Sequence, residues 1–287
     1  MRTYLECIPC FIKQSLEATR MATDDEAVHI EVIKELLTHL KSISFTHSPP
    51  ELSREVHGII RDITKSKDPY KKVKDMSNKL AKDHYPLLKK MVEETSDPLL
   101  MAIKIAIAGN VIDFGTYNRF NVEDILDNLV KKDIDEESYH QFKKSLIKSK
   151  TILYLADNAG EIFFDKLLIK ELLKQDKKVI YAVRANSIIN DATIDDVRFA
   201  GIDKLATIIE SDAGQKQSAP GVVLNYSSKR FLDYFEYSDM VISKGQGNYE
   251  GLSSVNRDVF FMLVVKCSLV ARDIGNEVGK LILKVKK

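Results

Sequence analysis

Hydrophobic residues in the first 150 positions recur at intervals of three and four, which is the period of an amphipathic α-helix. The segments 30–40 and 56–63 show this period clearly. Between Pro98 and Val111 the only charge is Lys104, so this helix is expected to be buried on most sides. Asp68-Pro69 and Asp97-Pro98 are typical of helix starts. This half of the chain is therefore predicted to be helical.

From Thr151 onward, short apolar and β-branched runs alternate with amphipathic helices. Strands that are apolar throughout and are separated by helices favour a largely parallel sheet covered on both faces. The sequence therefore predicts an α/β fold whose strands lie in six runs: 151–157, 178–185, 206–210, 240–245, 258–266 and 280–286.

The composition is that of a globular chain, with 44% apolar and 30% charged residues. The 43 basic and 42 acidic residues nearly balance, and no block is one-sidedly basic, so no binding to nucleic acid is expected. The sequence has neither a secretory signal core nor an apolar run of about 18 residues. We therefore expect a cytoplasmic protein that makes no membrane contact.

Polar residues gather directly after the predicted strands. In an open α/β sheet, ligands bind beyond the carboxyl ends of the strands, so these positions hold the candidate site residues. They are Asp157, Asn158 and Glu161 after the first strand, Arg184 and Asp191 after the second, Ser211 after the third, and Lys244, Gly245, Gly247 and Asn248 after the fourth.

Asp157, Asn158 and Asp191 form a candidate metal site. Carboxylate and amide oxygens are hard donors, which suit Mg²⁺ or Mn²⁺ better than zinc or copper. Three protein ligands would leave about three octahedral positions for water and substrate oxygens. The alternative is structural, because Asp and Asn at a strand end also make turns and helix N-caps.

Lys244, Gly245 and Gly247 form a candidate anion site, since backbone N–H groups beside glycines can converge on an anion next to the lysine charge. The glycine spacing matches neither a P-loop nor a dinucleotide-binding fingerprint, and a plain surface turn is the alternative. Asn110 and Asp113 end the apolar helix and are candidates as well, although such residues are commonly local caps.

Four motifs carry a resemblance to a known family: AGNVIDFG at 108–115, DNAGE at 157–161, NDAT at 190–193 and KGQGNYE at 244–250. With them, the chain resembles the damage-control phosphatase family, formerly a domain of unknown function numbered 89. The likeness extends from ECIPCF at 6–11 to KCSLVARDIG at 266–275 and is to the archaeal and bacterial branch with an N-terminal Cys-x-x-Cys.

The resemblance implies a three-layer α/β/α Rossmann-like core beside an all-helical subdomain, which we place at 98–287 and 1–97. It implies a divalent metal (Mn, Mg, Co or Ni) held by Asp157, Asn158 and Asp191. It also implies hydrolysis of small phosphomonoesters such as sugar phosphates. Segment 211–221 departs from the family's shorter glycine-rich form, so relatives are a poor guide to the substrate. The substrate contacts expected at the strand ends and the helix end are Asn110, Asp113, Arg184, Ser211, Gly245, Gly247 and Asn248.

The expected chemistry is attack on phosphorus by a metal-activated water, with Lys244 stabilising charge on the phosphate. Glu161 is expected either to orient that water or to complement the helix dipole. Asp157 is either a metal ligand alone or also the nucleophile or base. Two other functions stay open: a methyltransferase that uses S-adenosylmethionine, and a non-enzymatic module that binds a metal or a metabolite.

Cys7 and Cys10 are spaced to share one helix face. Zinc and iron–sulfur sites usually need four ligands, so a redox-sensitive or plain core pair is expected unless a second subunit contributes. Cys267 is expected to be a buried structural thiol. The sequence leaves open whether the chain forms a homo-oligomer.

Overall fold

The computed structural model describes residues 1–110, 132–213 and 217–286. Within these ranges the helices are α1 (Cys7–Ala22), α2 (Glu26–Leu40), α3 (Pro49–Thr64), α4 (Lys71–Glu94), α5 (Pro98–Ala108), α6 (Glu136–Lys148), α7 (Ile162–Leu173), α8 (Ile194–Ala200), α9 (Lys229–Tyr237), α10 (Gln246–Leu252) and α11 (Ser268–Ile274). The strands are β1 (Thr151–Leu155), β2 (Lys178–Val183), β3 (Thr207–Glu210), β4 (Met240–Lys244), β5 (Val259–Val264) and β6 (Leu281–Lys286).

The six strands form one sheet in the order β3-β2-β1-β4-β5-β6. The first five run parallel, and β6 pairs antiparallel with β5. The prediction of a largely parallel sheet is therefore confirmed. Chain order reverses between β1 and β4, and at such a switch point the loops after adjacent strands separate and leave a crevice for ligands.

Alternate residues of each strand cover opposite faces of the sheet, which produces three layers. On one face Tyr154, Tyr181 and Ile242 belong to a core shared with α4 to α8. On the other face the neighbouring positions, such as Leu153 and Val241, pack with α9, α10 and α11. Because helices bury both faces, strands that are apolar throughout are stable here, and the α/β/α prediction is confirmed.

The helical part contains a hydrophobic cluster of its own, formed by α1, α2 and α3. Helix α3 begins at Pro49, directly after Ser48, which forms a capping box with Glu51. Helix α4 instead packs into the core of the sheet through residues such as Leu88. A division of the chain at residue 97 stays a prediction. None of the helices that the structure describes is both long and apolar enough to cross a lipid bilayer.

Candidate metal centre and active site

The loops after β1 and β2 are joined to each other by backbone hydrogen bonds. Asn158 and Asp191 form an isolated antiparallel bridge. The Ala192 N–H donates to the Asp157 carbonyl over 2.8 Å, and the Ala159 N–H donates to the Asn190 carbonyl over 2.8 Å. The structure thus brings together the two loops that carry Asp157, Asn158 and Asp191, as expected for the carboxyl ends of adjacent parallel strands.

Two amide side chains bind the carboxylates at this point. The Asn110 Nδ2 donates to Asp157 Oδ2 over 2.5 Å and to Glu161 Oε2 over 3.1 Å. The Asn158 Nδ2 donates to the same two oxygens over 2.8 and 3.1 Å. Both amide nitrogens donate to carboxylates. The side-chain oxygen of Asn158 and the second carboxylate oxygen of Asp157, Oδ1, are therefore available to another partner. Asp113, predicted beside Asn110, lies outside the described residues.

The pKa values show that burial disfavours the ionised forms of two carboxylates at the site. Burial, and then the charges of Glu161 and Asp191, raise the pKa of Asp157 to about 8. Burial also raises the pKa of Asp191 to about 6, although the Arg184 guanidinium opposes the shift. Four buried carboxylates lie in this part of the molecule: Asp157, Glu161, Asp165 and Asp191. Lys244 binds Glu161 and Asp165, and Arg184 binds Asp191. Among the described residues, in contrast, Asp157 accepts only from neutral amides.

A divalent cation fits this donor set. Its charge would stabilise the ionised forms of Asp157 and Asp191, which burial disfavours, and carboxylate and amide oxygens are the ligands that Mg²⁺ and Mn²⁺ prefer. Asn110 supports the fit, because its buried Oδ1 has no hydrogen-bond partner among the described residues. In the same part of the chain, no three His, Cys, Asp or Glu residues are grouped to hold a metal. The candidate centre therefore depends on an amide oxygen as its third protein ligand.

Lys244 lies inside the protein and does not line the cavity. Its side chain is fully buried, and its Nζ donates to Glu161 Oε1 over 2.5 Å and to Asp165 Oδ1 over 2.6 Å. Burial alone would lower the pKa of Lys244, but the two carboxylates raise it, so the ammonium stays charged. The expectation of a phosphate contact is corrected here, since Lys244 would have to break both ion pairs to reach a ligand.

Arg184, Ser211 and Asn248 were all predicted to contact substrate, but Arg184 instead binds the other two side chains beneath the site. The Arg184 Nε donates to Asp191 Oδ2 over 2.8 Å, and its two terminal nitrogens donate to Ser211 Oγ and Asn248 Oδ1 over 3.1 and 2.6 Å. All three side chains are buried. These residues lie at the sheet edge predicted from the sequence. Arg184 holds the Asp191 carboxylate in position, and Ser211 and Asn248 orient Arg184.

The two glycines after β4 allow close approach of the chain to the site. Gly245 has a φ of 80°, and an added Cβ would lie 2.0 Å from an oxygen of Asp157. Its N–H donates to the Met262 carbonyl of β5, so it is not directed at a bound anion. Gly247, in the first turn of α10, faces the Pro220 carbonyl, which a Cβ would meet at 2.2 Å.

A cavity of about 480 Å³ opens beside the candidate metal ligands. Asp157, Asn158 and Asp191 line one part of its wall, and α1 and α3 line another. Among the described residues, Lys266 is the only lysine or arginine on the lining. Its charge helps to lower the pKa of Asp157, so the ammonium lies within electrostatic reach of the site.

Lys266 is not among the site residues predicted from the sequence, because it is the last residue of the apolar run at 258–266, which predicts a strand. The signal was nevertheless present, since Lys266 follows β5, a parallel strand, at the same sheet edge as Asp157. Cys7, Cys10 and Cys267 also line this cavity, and Cys7 and Cys267 pack in addition against hydrophobic clusters. None of them forms a disulfide, and the Cys267 Sγ accepts a hydrogen bond from Gln246 Nε2.

Comparison with known proteins gives a consistent result. The family model for the damage-control phosphatase ARMT1-like domain matches residues 3–282. A damage-control phosphatase of Archaeoglobus fulgidus is 33% identical over 286 residues, covering 97% of each chain. The damage-control phosphatase PH1575 of Pyrococcus horikoshii is 31% identical and covers 98% of this chain and 97% of that protein. The crystal structure of this DUF89 family protein from P. horikoshii superposes with a TM-score of 0.90 at 29% identity, covering 100% of both chains.

Proposed function

The chain belongs to the damage-control phosphatase ARMT1-like family, and on that premise we propose that it hydrolyses small phosphomonoesters with a divalent metal ion. One observation carries the metal-dependent part of the proposal. Two hydrogen-bonded loops bring Asp157, Asn158 and Asp191 to the wall of one cavity, where burial raises the pKa of both carboxylates. A structural cap or turn does not need two buried carboxylates at a cavity wall, whereas a divalent cation would bind their ionised forms.

Asp157, Asn158 and Asp191 would hold the ion through their side-chain oxygens. When bound, a divalent cation activates water as a nucleophile and stabilises charge on the phosphoryl oxygens. Arg184 orients Asp191 for this purpose through its 2.8 Å ion pair. Asn110 orients Asp157 from the opposite side.

Glu161 acts as a positioning residue in this proposal. One of its carboxylate oxygens accepts from Lys244, and the other accepts from Asn110 and Asn158. Glu161 is 1% exposed and does not line the cavity, so it does not orient the attacking water directly. Its charge fixes both amides, and through them the oxygen atoms offered to the metal.

The cavity sets the size and character of the substrate. A volume of about 480 Å³ falls in the range that holds small-molecule ligands, and a sugar phosphate is of suitable size. Its lining combines polar side chains such as Gln14 and Gln246 with apolar ones such as Phe11 and Pro49. We propose a compact, polar phosphomonoester with its phosphate between the metal ligands and Lys266.

Removal of the Lys266 charge tests the phosphate-binding part. Lys266→Met should raise KM by at least about tenfold, because a charge-assisted hydrogen bond contributes about 1.5–3 kcal/mol. The variant should keep its affinity for Mn²⁺, since Lys266 is not among the metal ligands. Steady-state kinetics and Mn²⁺ titration measure the two effects. The matched control is Lys204→Met at another exposed lysine, away from the cavity lining. An unchanged KM in Lys266→Met would remove Lys266 from substrate binding.

The activity itself is tested with a panel of phosphomonoesters, each assayed with Mn²⁺, Co²⁺, Ni²⁺ and Mg²⁺. We expect phosphate release from at least one sugar phosphate, and we expect a chelator to abolish it until metal is restored. Full activity after exhaustive chelation would refute the metal dependence. Failure to hydrolyse any member of the panel with any metal would refute the proposed phosphatase class.

A further inference from the structure

The loop that carries Asp191 contains an unusual backbone conformation at Ile189. Its φ is 43°, in the left-handed region that β-branched residues rarely enter. The two other non-glycine residues with positive φ among those described, Lys65 and Asp176, are exposed and close helix ends, where this conformation is common. Ile189 differs from both because it lies in the middle of a loop, two residues before a candidate metal ligand.

The helical part of the chain holds this loop from one side. The Ile189 side chain packs against the hydrophobic cluster of α1, α2 and α3. Two cationic side chains bind Ser187, two residues before Ile189. Arg61 Nη1 donates to the Ser187 carbonyl and Lys74 Nζ donates to Ser187 Oγ, each over 3.4 Å. Lys74 is itself fixed by a 2.7 Å ion pair with Asp68.

The sheet holds the same loop from the other side. The Asp191 N–H donates to the Ile188 carbonyl over 3.0 Å, which closes a tight turn around Ile189. The Asn190 carbonyl accepts from the Ala159 N–H of the other metal-ligand loop. Ile189 therefore lies between the helical cluster and the metal ligands, and it also lines the cavity.

A disfavoured backbone conformation persists only where its surroundings fix it, and such residues cluster at functional sites. We infer that Ile189 is a positioning residue, whose packing against α1–α3 fixes the turn that presents Asp191 to the metal. The inference rests on the proposed metal-dependent function. It assigns the helical part a role in metal affinity, although α1–α3 contribute none of the three candidate ligands.

The test compares three variants by titration with Mn²⁺ alone, followed through the electron paramagnetic resonance signal of the free ion. Ile189→Gly permits the same φ but removes the packing, and we expect it to bind Mn²⁺ about tenfold more weakly. Ile189→Val keeps a β-branched apolar side chain and should bind within about threefold of wild type. Val32→Ala removes buried volume from the same cluster at a position in α2, outside the loop, so it should lower thermal stability and leave Mn²⁺ affinity unchanged.

Wild-type Mn²⁺ affinity in Ile189→Gly would overturn the inference and leave the proposed function intact. Equal weakening in Val32→Ala would also overturn it, because general destabilisation would then explain the loss. Failure of wild-type protein to bind Mn²⁺ would instead overturn the proposed metal centre, and this inference with it.

Discussion

Asp157→Asn is expected to lower metal-dependent phosphate release by on the order of 100-fold or more while leaving the fold intact. The substitution keeps the shape of the side chain, and its oxygen can still accept from Asn110 and Asn158. It removes the negative charge that a divalent cation would bind. Since burial raises the pKa of Asp157 to about 8, the metal-free protein gains rather than loses from removal of that charge.

Two measurements together check this prediction. Steady-state hydrolysis of a sugar phosphate with Mn²⁺ gives the loss of activity, and thermal unfolding with and without Mn²⁺ gives the coupling to metal. Wild type should unfold at a higher temperature when Mn²⁺ is added, because a ligand that binds only the folded state stabilises it. Asp157→Asn should show no such increase. Asp203→Asn, which changes an exposed carboxylate before β3, at the opposite sheet edge, should behave as wild type. Unchanged turnover in Asp157→Asn would exclude Asp157 from the mechanism.

Lys244→Met should cause the largest loss of stability, roughly 3–5 kcal/mol. Lys244 is fully buried, and its ammonium is bound by Glu161 and Asp165. Removal of the cation leaves both carboxylates buried beside Asp157 with no compensating charge. Tyr154 and Tyr181 donate to Asp165, but neutral hydroxyl groups do not replace a cation.

Urea unfolding of the metal-free protein measures this effect, with Lys266→Met as the matched control. The control removes a lysine charge at the same sheet edge from an exposed position, so its unfolding free energy should change by no more than about 0.5 kcal/mol. A Lys244→Met variant as stable as wild type would show that the buried ion pairs do not hold the site together. The pair of variants separates a lysine that supports the site from one that contacts substrate.

The fold could be predicted from the sequence because the chain encodes it in local patterns. Runs such as Val259–Val264 are apolar at every position, which only a strand buried on both faces requires. The start of α5 was predictable for the same kind of reason: Asp97 caps the helix and Pro98 occupies its first turn. Helix α10 was not predicted, since two glycines within QGNYEGL indicate a loop. Packing against Pro220 and Val222 favours the helix, and neither contact is visible in a local pattern.

The candidate site was predictable in its location and less so in the roles of its residues. Asp157 and Asp191 follow adjacent parallel strands, so their convergence depends only on strand order and direction. The direction of a side chain at a strand end depends on the pleat and on what covers that face. Lys244 therefore points into the core towards Asp165, while Lys266, one strand away, lines the cavity. Both lysines stand at the carboxyl end of a parallel strand, but Lys244 is the last residue of β4 and Lys266 follows β5 by two residues.

The proposed metal centre is tested most directly by an anomalous difference map from a crystal of the protein grown with Mn²⁺. We expect a single strong peak in the cavity, at about 2.1 Å from side-chain oxygens of Asp157, Asn158 and Asp191. The metal centre would be contradicted if a crystal grown with saturating Mn²⁺ showed no peak at these three residues. It would also be contradicted if the active enzyme bound Mn²⁺ elsewhere.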